Sequence, residues 1–493
     1  MAIQAPAIGD ADMDFGGKLD WPTRVAWLVS CMPEMLKSVA WDMFVLFYYS
    51  QVIGLRGDLL GVVLALILTA DALIDPCAGT VSDRLRGAWL GRRHTPMVLA
   101  IVPFAVGFIA VFSPPPGLSQ LGIAAWLTVA GLIARLGISF YTIPALAMGA
   151  ELSRDPRERG LIAMLRNIGN NLAVLFVPIV GFQLFFVASA EYPKGQLNPE
   201  PYPAYGVTIT LVAVIAMLLA VLGTRRRVKE IEALEAGHAA ARTSTPSPGF
   251  FHEIVTAVRL TPNVWRMLLL VFLVLLSIAT INQLSLHLST YLWQLDGAQN
   301  QVVLTAMNIG TLIGLVSAVG FVRRFEKRTV MLAGLLGFLL LGFVSIAAPL
   351  AGLAPDPGSA GIGWFVAACR LVGGLAYGCY LVPLGAVILD IADEHEANTG
   401  RPQQGLVSAA HFFGLQAASA IVGLSAGFFL HLIEFPTGLK ADEMPWEKIR
   451  SLALFVMAVI VVVGVGLAMV IRMLEVSSEK QAGINARLNA LRV

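Results

Sequence analysis

The chain has 493 residues, 57% of them hydrophobic and 13% charged, with a formal net charge of +2 and a mean hydropathy of +0.75. A soluble globular domain carries roughly 25% charged residues, so the composition excludes a water-soluble enzyme or binding module and fits a polytopic membrane protein partnered by the lipid bilayer. A net charge this close to zero offers no basic surface, and no nucleic-acid partner is expected.

Residues 1–23 are polar and acidic with no apolar stretch of the signal-peptide kind, and read as a tail. Crossing a bilayer as helix takes about 20 apolar residues. Read at that length, the chain is predicted to be an all-α polytopic membrane protein of twelve spans, at 24–53, 59–80, 96–114, 119–148, 161–189, 205–223, 264–293, 300–321, 329–350, 361–389, 404–432 and 449–473. The longest polar stretch, 224–262, begins as a charged helix and breaks at Thr243–Pro248. It reads as a linker between an N-terminal bundle (24–223) and a C-terminal bundle (263–473), with 474–493 as a second tail.

Positive charge alternates between the loops. One set carries Arg84, Arg86, Arg92 and Arg93, then Arg154, Arg157 and Arg159, then Arg225, Arg226, Arg227 and Lys229, then Arg323, Arg324, Lys327 and Arg328. The other carries Arg56, Lys194, Lys440, Lys448 and Arg450. The positive-inside rule then places both termini in the cytoplasm, as for a bacterial-type inner membrane, which requires an even number of spans.

In the first span Glu34 and Lys37 stand at i, i+3 and can pair, while Asp42 faces elsewhere, to serve the cavity or to cap a local ion pair. The second span holds Asp71 and Asp75, four residues apart and on one face. An ionised carboxylate at bilayer depth costs ~3 kcal/mol or more. Two on one face repel unless a cation or a shared proton sits between them, so the pair reads as a cation or proton site. The loop DRLRGAWLGRRH, with Asp83, Arg84, Arg92 and Arg93, suits an ionic latch between bundles, and RDPRERG, with Asp155 and Arg159, a matching one. Arg166 lies one turn into the fifth span, ahead of Asn167, Asn170 and Asn171. Always charged, it either tunes the two aspartates or snorkels to the surface.

Thr280, Gln283, His287 and Tyr291 form a polar stripe on the seventh span, predicted to face the central cavity. His287 is either a group titrating near neutrality or a hydrogen-bonded structural histidine. His411 and Gln416 on the eleventh span are similar candidates, and Gly373, Gly374 and Gly378 serve packing. Cys31, Cys77, Cys369 and Cys379 have neither disulfide nor metal spacing and read as core residues. No phosphate-cradling loop, zinc-binding helix or nucleophile elbow is present, so neither an enzyme nor a cofactor is expected.

The two halves resemble each other. Tyr141 and Pro144 match Tyr380 and Pro383, and Glu151 and Asp390 each follow their tyrosine by ten residues. Asp155 matches Glu394, and Gly160 matches Gly405. Twelve spans built from two related sixes is the architecture that places a substrate between the bundles.

DALIDP at 71–76, GAWLGRRHTP at 87–96, PALAMGAELSRDPRERG at 144–160 with Arg166, and LDIADEHEANTGRPQQG at 389–405 together resemble the glycoside–pentoside–hexuronide:cation symporters of the major facilitator superfamily. The resemblance implies the major facilitator fold and makes Asp71 and Asp75 the coupling-cation site, completed by the Ser139 hydroxyl, with Arg166 in coupling. Sodium-using relatives place Asn before the second aspartate, where this chain has Ile74. A hard cation needs several oxygens, so the resemblance favours a proton; were sodium used, Asp71 and Asp75 would be its ligands. The family's sugar-binding aspartates align near Met35, beside Glu34, and at Thr142; its nearby tryptophan aligns at Leu146 and a span-11 lysine at Gln416. The candidate substrate set is then Glu34, Asp42, Tyr141, Thr142, His287, His411 and Gln416, with Glu151 and Asp390 among the gating acids. The expected activity is symport, by a monomer, of a glycoside-like or other small organic solute with a cation. A lysolipid carrier of the same fold and a non-transporting receptor are the rivals.

Overall fold

The computed structural model describes residues 19–85, 90–153, 155–238 and 261–399, then most of 421–474 and scattered positions to 487. At Asp71, Asp83 and Arg84 it describes backbone alone, and His411 and Gln416 lie outside the described residues. The described residues are helical, with no strand among them, and nine of their helices are long and apolar enough to cross a membrane.

The first half comprises α1 (Trp21–Ser30), α2 (Met32–Ala40), α3 (Gly57–Arg84), α4 (His94–Val111), α5 (Gln120–Glu151), α6 (Pro156–Val180) and α7 (Pro201–His238). The second comprises α8 (Pro262–His287), α9 (Gly297–Arg324), α10 (Lys327–Leu350), α11 (Ala360–Thr399), a helical stretch at 424–432, and α12 (Trp446–Met473). The first predicted span is interrupted at Cys31, because Pro33 has no N–H for the carbonyl four residues back. Helix α7 runs on through the charged residues after 223, as expected of the linker's start. Two helix starts are capped from the loops before them. Ser119 Oγ accepts from Gly122 N at 3.2 Å, and Asp296 and Gln299 form a reciprocal capping box at 2.7 and 3.0 Å.

The internal repeat extends to the first and seventh spans. Each ends in a π-helical turn, Tyr48–Val52 and Leu288–Leu292. The closing bonds match: Ile53 N to Tyr48 O (2.9 Å) and Leu55 N to Tyr49 O (2.8 Å), against Trp293 N to Leu288 O (3.0 Å) and Leu295 N to Ser289 O (2.8 Å). A left-handed residue follows in both, Gly54 at φ 77° and Gln294 at φ 52°. The repeats are thus offset by 240 positions here, and Ser50, Gln51 and Phe47 correspond to Thr290, Tyr291 and His287.

Within the first half α3 and α4 pack on α5 and α1 packs on α7; within the second, α9 and α10 pack on α11 and α12 packs on α8. The halves meet where α8 crosses the π-helical turn Trp41–Val45 and where α9 meets α6. An aromatic cluster of Phe44, Phe186, Tyr202 and Tyr205 fills the arginine-poor end of the first half, with centroids 4.6–5.2 Å apart.

Candidate functional site

A cavity of about 530 Å³ opens at the arginine-rich end, lined by residues including Trp27, Leu146, Gly149, Arg159, Arg166 and Asn170. A narrower recess continues from it past Ser30 to Glu34 and Thr142. Four predicted residues therefore converge here: Glu34, Thr142, Arg159 and Arg166. Glu34 is fixed from three sides. Lys37 Nζ lies 2.9 Å from its Oε1, Ser38 Oγ donates to Oε1 at 3.0 Å, and Thr142 Oγ1 donates to Oε2 at 3.3 Å. The predicted Glu34–Lys37 pair is present, with the lysine fully buried. Tyr141 stands behind this wall, its hydroxyl donating to Ser30 O at 3.2 Å. Asp42 lines neither cavity; Arg135 and Lys37 are the cations around it, so of the two readings the local ion cluster holds.

Helices α3 and α5 run parallel and in step, Ile67 against Gly131 and Gly79 against Ile143. That register puts Asp75 level with Ser139 and position 71 level with Arg135. Asp75 is half-buried, Ser139 is buried, and both are engaged in polar contacts. Arg135 is buried too, its guanidinium 5.3 Å from the Trp41 ring centroid. Sequence reading assigned Arg135 no role, although it stands one helical turn before Ser139.

The polar stripe of α8 does not face an open cavity. Thr280, Gln283, His287 and Tyr291 are all buried, and the last two close the arginine-poor end against the first half. His287 Nε2 lies 3.1 Å from Ser50 Oγ, and the Tyr291 hydroxyl donates to Gln51 Oε1 at 2.8 Å. Phe47 and Phe435 pack edge-on to the His287 ring at 5.0 and 6.1 Å. Ser50, Gln51 and Tyr291 lie within the π-helical turns at the two repeat ends, and His287 immediately before one of them. Further ties join the halves at this end. Gln196 Nε2 donates to Thr290 Oγ1 at 3.0 Å, Gln183 Nε2 to Gln301 Oε1 at 2.5 Å, and Lys194 Nζ to Gln294 O. Burial pushes the Lys194 ammonium below its ordinary pKa, with Asp296 opposing. Gly61 and Gly427 touch backbone to backbone, so that a Cβ on Gly427 would lie 2.5 Å from Gly61 Cα.

At the arginine-rich end the pairs made by Arg92, Arg93 and Lys327 run within each half. Arg93 Nη2 and Arg92 Nη2 reach Glu151 Oε1 at 2.7 and 3.0 Å, tying the loop before α4 to the end of α5. Lys327 Nζ reaches Asp390 Oδ2 at 2.6 Å, the equivalent pair in the second half. These pairs clamp each half to itself; the latch expected between bundles is not among them. Asp155 N donates to Ser153 Oγ (3.2 Å) and Arg159 Nε to Ser153 O (3.2 Å), both to the residue just before the RDPRERG segment. The side chains of Asp83 and Arg84 lie outside the described residues.

Residues 28–478 match the family described as MFS/sugar transport protein. The isoprimeverose transporter of Lactiplantibacillus pentosus is 21% identical over 92% of this chain and 91% of its own length. The glucuronide carrier protein homolog of Escherichia coli K12 is 22% identical over 84% of each. Among solved structures, the inward-open xylose transporter XylE of E. coli superposes with a TM-score of 0.57 at 14% identity, over 90% of this chain and 93% of that one, a likeness of fold. The matching proteins are membrane transporters, not enzymes. An all-helical chain with this cavity and this near-full-length match belongs to the MFS/sugar transport family, as a glycoside–pentoside–hexuronide:cation symporter-type member of the major facilitator superfamily.

Proposed function

We propose that this chain carries a glycoside-like organic solute together with a cation by alternating access. The observation that carries the reading is the asymmetry of the two ends. The arginine-rich end holds a cavity reaching Glu34, Thr142 and Arg166, while the opposite end is shut by hydrogen bonds between halves. That is one state of a cycle in which the halves rock about a central site. With the arginine-rich loops on the cytoplasmic side of a bacterial-type inner membrane, the cavity faces the cytoplasm and both termini lie there. The protein acts as a monomer in the bilayer.

Asp75, with Asp71 one turn before it and Ser139 level with it, holds the coupling ion. A proton is favoured over sodium, because Ile74 adds no oxygen to the set. The solute is glycoside-like, as the names of the isoprimeverose and glucuronide relatives support. Substrate contacts come from Glu34, Thr142 and Arg166. Uptake in proteoliposomes under an imposed proton or sodium gradient, across glycosides and a fluorescent lysolipid, tests this. Proton-driven glycoside accumulation is expected; movement of the lysolipid alone, or ligand binding without flux, would overturn it.

A further inference from the structure

Resting on that transporter reading, we propose that Arg135 is the fixed cation of the coupling site, standing among its carboxylates where a metal ion would stand, so that the site refuses sodium. Two registers place it there. Helices α3 and α5 touch at Ile67 and Gly131 and again at Gly79 and Ile143. Residue 135 therefore stands level with residue 71, an aspartate, and one turn before the level of Asp75 and Ser139. The first span runs antiparallel to α5, with Thr142 against Glu34 at one height and Arg135 against Trp41 at another.

The three helices converge beside this arginine. A Cβ on Gly131, one turn before it, would lie 2.5 Å from Ile67 Cδ1 on α3 and 3.0 Å from Trp41 Cη2 on the first span. Arg135 is buried at that junction, its guanidinium 5.3 Å from the Trp41 ring centroid, a contact that steadies a cation. Packed helices stand about 8–10 Å apart, so an arginine at such a junction reaches the level of either neighbour with its own side chain.

The charges at this depth leave the arginine to the acids around it. Glu34 and Lys37 neutralise each other at 2.9 Å. Asp42 has Arg135 and Lys37 around it, and with Lys37 engaged by Glu34, Arg135 is left as the cation for Asp42 and for the level of residue 71. A guanidinium stays charged at any working pH, and its N–H donors occupy carboxylate oxygens. Sodium needs several oxygens in one shell; here it would meet a permanent positive charge, and Ile74 adds no oxygen. A proton needs a single carboxylate oxygen and is not excluded in this way. The missing oxygen at Ile74 weakens a sodium site, and Arg135 closes it.

Sodium itself is the probe, read on the purified full-length protein as saturable binding of radiolabelled sodium and as thermal stabilisation over equal choline chloride. Because the readout is binding rather than flux, its failure leaves the symporter reading standing, whereas failure of that reading shows in gradient-driven uptake. The wild type is expected to bind no sodium. I74N, which restores an oxygen while keeping the arginine, is expected to stay blind to it. I74N/R135Q should bind sodium roughly hundredfold more tightly than I74N, and I74N/R135K, which keeps the charge, should not. Sodium binding by the wild type or by I74N would end the proposal. So would an I74N/R135Q protein that folds and binds sodium no better than I74N. If I74N/R135Q does not fold, the wild type and I74N decide.

Discussion

Gln51 and Tyr291 occupy equivalent positions in the two repeats, and they meet: the tyrosine hydroxyl donates to the glutamine Oε1 at 2.8 Å. Phe47 and His287, equivalent one turn earlier, also face each other, at 5.0 Å between centroids. Residues that contact their own counterparts lie on the pseudo-twofold axis relating the halves. The closed end of the protein is therefore built where the axis emerges, and any rocking of one half on the other separates these pairs first.

Tyr291→Phe removes that bond and strands a buried amide oxygen. The closed state should lose about 1–2 kcal/mol, shifting the closed-to-open ratio about five- to thirtyfold. Spin-label distances across the arginine-poor end should gain a longer component in the variant; an unchanged distribution would remove this pair from the gate.

Gly61 and Gly427 allow α3 and the 424–432 helix to touch backbone to backbone. Gly427→Val places carbon where Gly61 Cα and N stand, 2.5 Å from its Cβ, and no side chain is there to yield. The variant should insert and bind solute yet fail to close this end, so cysteines placed beside Ser50 should label quickly from that side. Slow labelling with full transport would contradict the contact.

Glu151 accepts from both Arg92 and Arg93, and Asp390 binds Lys327 in the equivalent place. All but the buried Arg93 are partly exposed, so screening limits the gain. Glu151→Gln and Asp390→Asn should each cost about 1 kcal/mol and lower the melting midpoint by a few degrees, since each clamps a separate half. Because the two pairs lie in different halves, on Glu151 and on Asp390, the double variant should show the sum. A large non-additive loss would mean that one of these acids also reaches across the halves.

Lys194 carries a pH signature. Burial in the closed end holds its pKa below the ordinary 10.5, so the closed state binds this proton more weakly than the open one. Between the lowered value and 10.5 the open state holds more protons, and raising the pH therefore favours closure; below that window there is no dependence. Closed-state population, followed by the same spin labels, should rise with pH in this alkaline window and become flat in Lys194→Met. A fall with pH would reverse the assignment.

Much of this was legible beforehand. The apolar lengths predicted twelve spans, of which nine appear among the described residues as helices long and apolar enough to cross a membrane, and the i, i+3 spacing gave the Glu34–Lys37 pair. The tyrosine–acid repeat located Glu151 and Asp390 as equivalents, and both proved to hold basic partners. Of the two readings of His287, the hydrogen-bonded one matches its 3.1 Å contact with Ser50 Oγ, whereas the stripe it shares with Tyr291 is buried rather than on an open cavity wall, for a physical reason. A polar stripe on a helix says only that it avoids lipid, and cannot separate a cavity wall from a closed interface between halves. The π-helical turns in or beside which those side chains lie leave no pattern in composition.

The coupling claim rests on Asp75, level with Ser139 and one turn beyond Asp71. Asp75→Asn keeps shape and hydrogen-bonding capacity while removing the ionisable group, so its effect on uphill uptake is the most direct measurement. Proteoliposomes carrying the variant should equilibrate solute down its own gradient but accumulate none against it under an imposed proton gradient. Accumulation equal to that of the wild type would show that the ion is carried elsewhere.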